Sequence, residues 1–560
     1  MLRPITVVLT QCCRVCVVVF AMCTVFIATI YTITYDYSRS EWFWRTSELP
    51  YVLIGGLIVL VIIACPYEWL SQLIPVRLLP RITFLLSSAF SILWVFAADA
   101  LQEWDQGDVL NAARVKTQFA DTDLTQYSPG GYMERFPYQA PLVVLVRALI
   151  VLSGSRADYV FCLLNAIAVA ITMMVIVKLS IVVDSDNAGS VPYIAMILSL
   201  TFLPAYFYAV TVYGNTLSVM FIAMGFYAQV RCMQSSQGRK SIIVGMTSAV
   251  CIAMAIVIKS SSIVALIASV LVWLVWALWK RSWVPVVFVL STVILKTVLA
   301  AAPAAYLERL ADVDLSRGAP HITWIAMGIG ASQPEDQPIV QPWPGGLYDA
   351  YPWRIPDAQY SPEVYDSLSH ELIAKRLERF RSHPGESVRF FVGKIAYEWG
   401  DPLYESLVSS NWTVGNVVTV EDGPIDGVSQ AQRPLTPIAR SMYYGKANFV
   451  VRWLCDVMQT VLFFGFFIGS TILCRRRHTE RWLLLGVTAL YAAGGGVLYL
   501  IWEARSQYTL GFAMMMIPIG AIGLSVVGSW IRCGARSLTT YLRNELSDRH
   551  MSAQLPRHRA

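Results

Sequence analysis

Repeated apolar runs, each about 20 residues long, constrain this chain more than any other feature. They fall at 11–34, 51–71, 82–101, 157–180, 193–211, 215–232, 241–259, 262–279, 284–303, 448–473, 482–501 and 508–530. A run of that length lets an α-helix cross a hydrocarbon layer while bonding all of its own backbone polar groups. A chain built from twelve such runs is expected to be an all-α polytopic membrane protein. Its composition agrees: 56% of the 560 residues are hydrophobic and 14% are charged, against about 25% charged in soluble chains. The mean hydropathy is +0.54.

A thirteenth run, 139–154, is short and carries Arg147 at its middle. Charge distribution decides how to read it. If it does not cross and the N-terminus is cytoplasmic, Arg77 and Arg81, Arg231, Arg239 and Lys240, Lys280 and Arg281, Arg475–Arg477 and the basic tail all lie inside. That layout satisfies the positive-inside rule, and a crossing 139–154 would invert the later clusters. The run is therefore expected to be an interfacial or re-entrant helix. Asp184 and Asp186 in an inner connector dissent, but acids weigh little in this rule. Met1-Leu-Arg3 precedes a first run long enough to span, without a clear cleavage site, so a retained helix is expected.

The expected organisation is three spans in 1–101, a first extracytoplasmic loop with a juxtamembrane helix in 102–156, and six spans in 157–303. A large extracytoplasmic loop, 304–447, and three spans in 448–530 follow, and a basic cytoplasmic tail occupies 531–560. The multi-pass chain would sit in the cell membrane with both termini cytoplasmic. The eleven cysteines lie in or beside apolar runs, so the two long loops fold without disulfides. The net charge of +6 sits at loop ends and in the tail, which reads as topology and not as nucleic-acid binding.

The loop 101–141 carries Glu103, Asp105, Asp108, Asp121, Asp123 and Glu134, then Tyr132-Met-Glu-Arg135-Phe-Pro137. Carboxylates beside a bilayer are costly unless solvated or used. Asp105 and Asp108 stand i, i+3 and share a helical face. One could take a proton from an acceptor hydroxyl while the other orients it or binds a metal. Solvated loop acids, or a cap for the following helix, are the plainer alternative. Trp502-Glu503-Ala-Arg505-Ser-Gln-Tyr508 lies between the last two spans, on the same expected outer face. Its guanidinium suits a bidentate phosphate contact, with Arg135 and Lys259 as further cations; interfacial anchoring is the other reading.

In 304–447 the start is rich in Pro and Gly, and 361–400 looks helical. Val388, Phe391, Val392, Ile395 and Trp399 share one face, which suits a helix flat on a membrane or packed on protein. Trp324, near His321, is either a substrate-contacting aromatic or a packing residue. Asn411-Trp-Thr413 matches a glycosylation sequon. Walker A, GxSxG, HExxH and dinucleotide fingerprints are all absent from the sequence, which speaks against ATP-driven transport and soluble-cofactor redox chemistry. Internal repeats of the inverted-transporter kind are also absent.

The order of these features resembles the GT-C superfamily of polyprenyl-phosphate-sugar-dependent glycosyltransferases. That superfamily includes the protein O-mannosyltransferases, the aminoarabinose lipid A transferase and bacterial mannosyltransferase-like proteins of cell-envelope glycan synthesis. The matching positions are Asp105-Gln-x-x-Val109-x-x-x-Ala113, Tyr132-x-x-Arg135-x-Pro137, Val212-Tyr213-Gly214-Asn215, Ile258-Lys259, Trp324-Ile-x-Met-Gly328, Gly345-Gly-x-Tyr348, Lys394-x-x-x-x-Trp399 and Glu503-x-Arg505-x-x-Tyr508. They span about residues 100 to 525. Asn215 departs from the acid common after Tyr-Gly, Asp105 is not part of an Asp-Glu pair, and two spans are added before the loop.

The resemblance implies an inverting transfer of a sugar, for instance a mannose-like one, from a polyprenyl-phosphate donor to a cell-envelope glycan, lipid or protein on the extracytoplasmic side. Asp105, with Asp108, would supply the base. Arg505, Arg135 and Lys259 would hold the lipid phosphate, and Tyr132, Trp324, Glu503 and Tyr508 would line the sugar or acceptor site. The departures leave sugar, acceptor and any divalent cation open; no resident metal site is expected. A lipid-linked glycan polymerase or ligase, and a lipid-glycan transporter or flippase, are the competing readings.

Overall fold

A computed structural model describes residues 2–36, 41–46, 54–59, 67–118, 124–183, 189–235, 238–330, 345–347, 361–409, 435–475 and 479–553. Helix α1 (Leu2–Ile30) leads into a β-hairpin, β1 (Tyr31–Asp36) and β2 (Glu41–Thr46), paired antiparallel from Tyr31↔Thr46. The first apolar run thus ends as a helix at Ile30, and its β-branched and aromatic end, Tyr-Thr-Ile-Thr-Tyr, becomes a strand as such residues prefer. Then come α2 (Tyr67–Leu73), α3 (Leu79–Ala97), α4 (Asp105–Arg114), α5 (Ala140–Ser153) and α6 (Ala157–Val183).

The bundle continues with α7 (Ser190–Thr201), α8 (Leu203–Phe207), α9 (Asn215–Gln234), α10 (Arg239–Ile258), α11 (Ile263–Lys280) and α12 (Val284–Ala311). The large loop contributes α13 (Ile322–Ile329), α14 (Pro362–Ser382), α15 (Pro384–Trp399) and α16 (Pro437–Tyr444). The chain ends in α17 (Lys446–Leu473), α18 (Thr479–Ile501) and α19 (Ser506–Ala553).

Among the described residues, 10 helices are long and apolar enough to cross a membrane, and 11 if the bent pair α7–α8 is one span. This is a predominantly helical, multi-pass architecture. The bend of 48° falls at Phe202, where Pro204 follows and cannot donate to the helix ladder. Residues 51–53 and 60–66 of the expected second run, 51–71, lie outside the described residues, as do Asp121, Asp123, Asp184, Asp186, Tyr348 and the sequon at 411–413.

Residues Pro137–Val183 form 47 residues of nearly continuous helix. At 1.5 Å per residue that is roughly 70 Å, more than twice the hydrocarbon thickness. Gly154, with φ 63°, interrupts it and separates α5 from α6. Arg147, the residue that made 139–154 ambiguous, is consumed at the end of α4. Its guanidinium donates to the carbonyls of Ala113 (3.2 Å) and Val115 (2.5 Å) and to the Tyr306 hydroxyl (3.0 Å) of α12. A cation there satisfies terminal carbonyls and complements the helix dipole.

The helical expectation for 361–400 resolves into two helices broken at His383-Pro384. The apolar stripe of α15 is split: Val388 is 64% exposed, while Trp399 is 1% exposed against Phe20 and Phe463. Packing on protein therefore accounts for the C-terminal half of the stripe. Gly400 accepts the Ile33 backbone N–H at 2.8 Å, joining the hairpin to the end of α15.

Candidate functional site

Four segments far apart in sequence meet at one cleft. The first is the start of α4, whose opening turn holds Asp105 and Asp108. Acids there face unsatisfied N–H groups and the positive end of the helix dipole. Trp104, with φ 54°, turns the chain sharply into this helix. Gln102 fixes the turn: its amide donates to the Val210 carbonyl (2.8 Å) and its carbonyl accepts from the Val212 N–H (2.9 Å). Tyr213 is thereby set beside Asp105.

Gly214 sets the second and third segments against each other. A Cβ at Gly214 would stand 2.6 Å from the Ile258 carbonyl oxygen, so only glycine lets the start of α9 meet the end of α10. Lys259 follows in extended backbone, φ −145°, between α10 and α11. Its ammonium lies 5.2 Å from the ring centroids of both Tyr213 and Tyr508, the arrangement in which ring quadrupoles attract a cation. Lys259 and Tyr508 also border a small hollow in the bundle that Asn215, Ser262, Gln507 and Tyr491 help to line.

The fourth segment is Trp502–Arg505. It is extended, and its backbone is bonded by the large loop: Glu503 N–H donates to the Trp324 carbonyl (3.1 Å) and Ala504 N–H to the Gly346 carbonyl (3.0 Å). Gly328 allows this approach, since a Cβ there would lie 2.0 Å from the Ile501 carbonyl oxygen. Lys394 is fully buried and donates to the carbonyls of Gly328 (2.5 Å), Leu500 (3.2 Å) and Trp502 (2.7 Å). It ties α13, the end of α18 and the extended segment together.

Arg505 emerges from this support with its Nε 3.3 Å from Glu405 Oε2. Asp105 faces Arg505 and Lys259 and accepts a hydrogen bond from Tyr213. Asp105 keeps an exposed surface although protein surrounds it, as expected for the floor of a water-filled cleft. Burial pushes its carboxyl above the usual range, and the two cations and the Tyr213 hydroxyl pull it back.

Burial and then the neighbouring Asp105 push Asp108 up to about 6, and Gln126 holds its Oδ1 at 3.1 Å. Burial pushes Lys259 down to about 8 against the pull of Glu503 and Asp105. Burial likewise pushes Glu503 up to about 7, opposed by Arg505. For Arg505, burial works against the charge, but Glu405, Tyr397, Tyr508 and Glu503 together outweigh it and the pKa rises.

No protein-family model matches the chain, and no curated protein matches it. The site rests on geometry alone.

Of the residues singled out from sequence, Asp105, Asp108, Lys259, Glu503, Arg505 and Tyr508 come together here. Tyr132 is buried against Phe136 with ring centroids 5.1 Å apart, close enough to feel Tyr213 and Asp105. Trp324 lies behind the extended segment, stacked on Trp502 with centroids 6.1 Å apart and planes at 17°. Arg135 stands apart. Its guanidinium is 0% exposed and is held by the Gly130 carbonyl and the Tyr365 hydroxyl, so it braces the loop and offers the cleft no open face.

Gln102, Asp401 and Glu405 carried no signal of their own in the sequence. Tyr213 and Lys394 stood there only as members of matched motifs. Among the described residues no group of three or more His, Cys, Asp or Glu side chains is placed to hold a metal. A cation here would draw its protein oxygens from the Asp105–Asp108 pair.

Proposed function

We propose that this chain is a membrane glycosyltransferase of the GT-C kind, moving a sugar from a polyprenyl-phosphate donor to an acceptor hydroxyl on the extracytoplasmic side. The observation that carries the reading is the meeting of one open carboxylate, Asp105, with two cations, Lys259 and Arg505, from loops hundreds of residues apart. The short motifs that prompted the resemblance converge on this spot: Tyr213-Gly214 meets Ile258-Lys259, and Gly328 and Lys394 meet Trp502–Arg505.

In this mechanism the donor phosphate lies against Arg505 and Lys259. Asp105 accepts the proton of the acceptor hydroxyl as that oxygen bonds the anomeric carbon. The anomeric C–O bond to phosphate breaks on the opposite face, leaving polyprenyl monophosphate and an inverted glycoside. The raised pKa of Asp105 makes it a better base than a solvated carboxylate. The cations meet charge that grows on the leaving phosphate, which lowers the barrier more than it tightens ground-state binding. The α5 helix would lie at the membrane face, capping the catalytic loop.

The test is transfer by purified protein in lipid, with radiolabelled polyprenyl-phosphate mannose and related donors and membrane extracts as acceptor. Label should reach an acceptor with the wild type and not with Asp105→Asn at equal folded yield. Wild-type-like transfer by Asp105→Asn would remove the assigned base. Transfer only from pyrophosphate-linked donors would favour the polymerase or ligase reading, and donor movement across the bilayer without transfer would favour the flippase.

A further inference from the structure

The turn after α15, residues 400–409, carries an arrangement that the mechanism above leaves unused. Tyr404 and Glu405 are consecutive residues in the left-handed region, with φ 52° and φ 53°. Neither is glycine, and a bulky side chain in that region is costly, so surrounding contacts must hold the turn. They are present. Asp401 Oδ1 accepts the Leu403 N–H (2.9 Å), and Asp401 Oδ2 accepts the Glu405 N–H (2.8 Å). Gln459, inside α17, donates to the Asp401 carbonyl (3.2 Å) and the Tyr404 hydroxyl (3.0 Å). The turn is therefore riveted to a span.

The product of this turn is the aim of one side chain. Glu405 is 2% exposed; one carboxylate oxygen takes Arg505 Nε at 3.3 Å. The other takes Ser506 N–H (3.2 Å), Ser506 Oγ (3.1 Å) and the Tyr397 hydroxyl (3.4 Å). Ser506 Oγ lies also 2.7 Å from Asp401 Oδ2. The carboxylate thus grips both the guanidinium of Arg505 and the backbone of the next residue. A buried ion pair needs such extra hydrogen bonds to offset the loss of water.

We propose that Glu405 is a positioning residue that, with Asp401 and Ser506, fixes the guanidinium of Arg505 for a phosphate-bearing ligand. The proposal rests on the reading of Arg505 as the phosphate contact. Glu405 touches no reacting atom. It acts by removing rotamer freedom from Arg505, so that the phosphate need not order that side chain on arrival. A strained turn anchored in the bundle is what such a task requires, because a soft support would let the pair drift together.

A double-mutant cycle tests it. Glu405→Gln keeps an acceptor for Ser506 and removes the charge from Arg505. It is expected to lower kcat/KM for the polyprenyl-phosphate donor roughly tenfold or more, with a melting temperature near that of wild type. In an Arg505→Ala background the same change should have less than about a threefold effect, since a residue acting through another loses its lever. Glu405→Asp should recover part of the loss. Binding of polyprenyl monophosphate to the detergent-solubilised protein reads the same cycle without catalysis.

Full kcat/KM and phosphate-lipid affinity in Glu405→Gln would overturn the proposal, as would losses that simply multiply with those of Arg505→Ala. Should the wild type neither transfer from nor bind phosphate lipids, the reading of the site fails first, and this inference falls with it. Wild-type activity with an indifferent Glu405→Gln sinks this inference alone.

Discussion

Lys259 gives the sharpest handle on the site. Its ammonium sits between two tyrosine rings, half-buried at a helix break, and burial outweighs Glu503 and Asp105 to lower its pKa to about 8. A donor phosphodiester stays anionic throughout neutral and alkaline pH, so the cation is the partner that titrates. With a pKa of about 8, roughly nine-tenths of Lys259 is charged at pH 7 and roughly one-tenth at pH 9. The sign is fixed: a lysine with a lowered pKa loses its charge within the assay range, so donor use falls as pH rises. From pH 7 to pH 9, kcat/KM for the polyprenyl-phosphate donor should fall roughly tenfold on this account alone.

Lys259→Arg keeps a cation that does not deprotonate in this range. It should flatten the alkaline limb even if its bulk lowers the plateau, whereas Lys259→Met should be low and flat. The assay is initial-rate transfer between pH 6.5 and pH 9.5 at fixed ionic strength. Two results refute the reasoning: a wild-type profile level to pH 9.5, or an unchanged decline in Lys259→Arg.

Two further outcomes separate bracing from contact. Arg135→Lys loses the planar fork that holds the Gly130 carbonyl and the Tyr365 hydroxyl; it should cost about 1–3 kcal/mol of stability. Thermal melts should show the loss, while the donor KM of the protein that remains folded stays at the wild-type value. Gly328→Ala drives a methyl against the Ile501 carbonyl, 2.0 Å away in the unrelaxed structure. It should separate α13 from Trp502–Arg505 and abolish transfer at a temperature where the spans still give a helical circular-dichroism signal.

The spans were legible because the 20-residue apolar run is a strong signal that needs no tertiary knowledge. The ends were less so. Residues 31–34, Tyr-Thr-Ile-Thr, continue the first apolar run in sequence, but they pair as a strand with β2, and the Ile33 N–H reaches Gly400, a partner far along the chain. Phe202 bends α7 from α8 inside what reads as one run. In the site, Asp105 and Arg505 stood out as charges at the ends of apolar stretches.

Arg135 looked equally available, and only the fold shows its guanidinium closed in by the Gly130 carbonyl and Tyr365. Glu405 was invisible because its role depends on two left-handed residues and on Ser506, and no periodicity encodes that. Lys394 appeared as one member of a motif. Its three carbonyl partners come from α13, the end of α18 and the extended segment after it, which sequence spacing cannot bring together.

The way Trp502–Arg505 is bonded also orders events during synthesis. Three groups of the large loop that receive this segment, the carbonyls of Trp324 and Gly346 and the ammonium of Lys394, leave the ribosome before the segment does. Asp105 and Lys259 are older still. The nascent chain therefore holds Asp105 and Lys259 well before its arginine, which comes only with the last helical pair. A ribosome that stalls before residue 502 leaves a chain that holds Asp105 and Lys259 and lacks the guanidinium that completes the cluster.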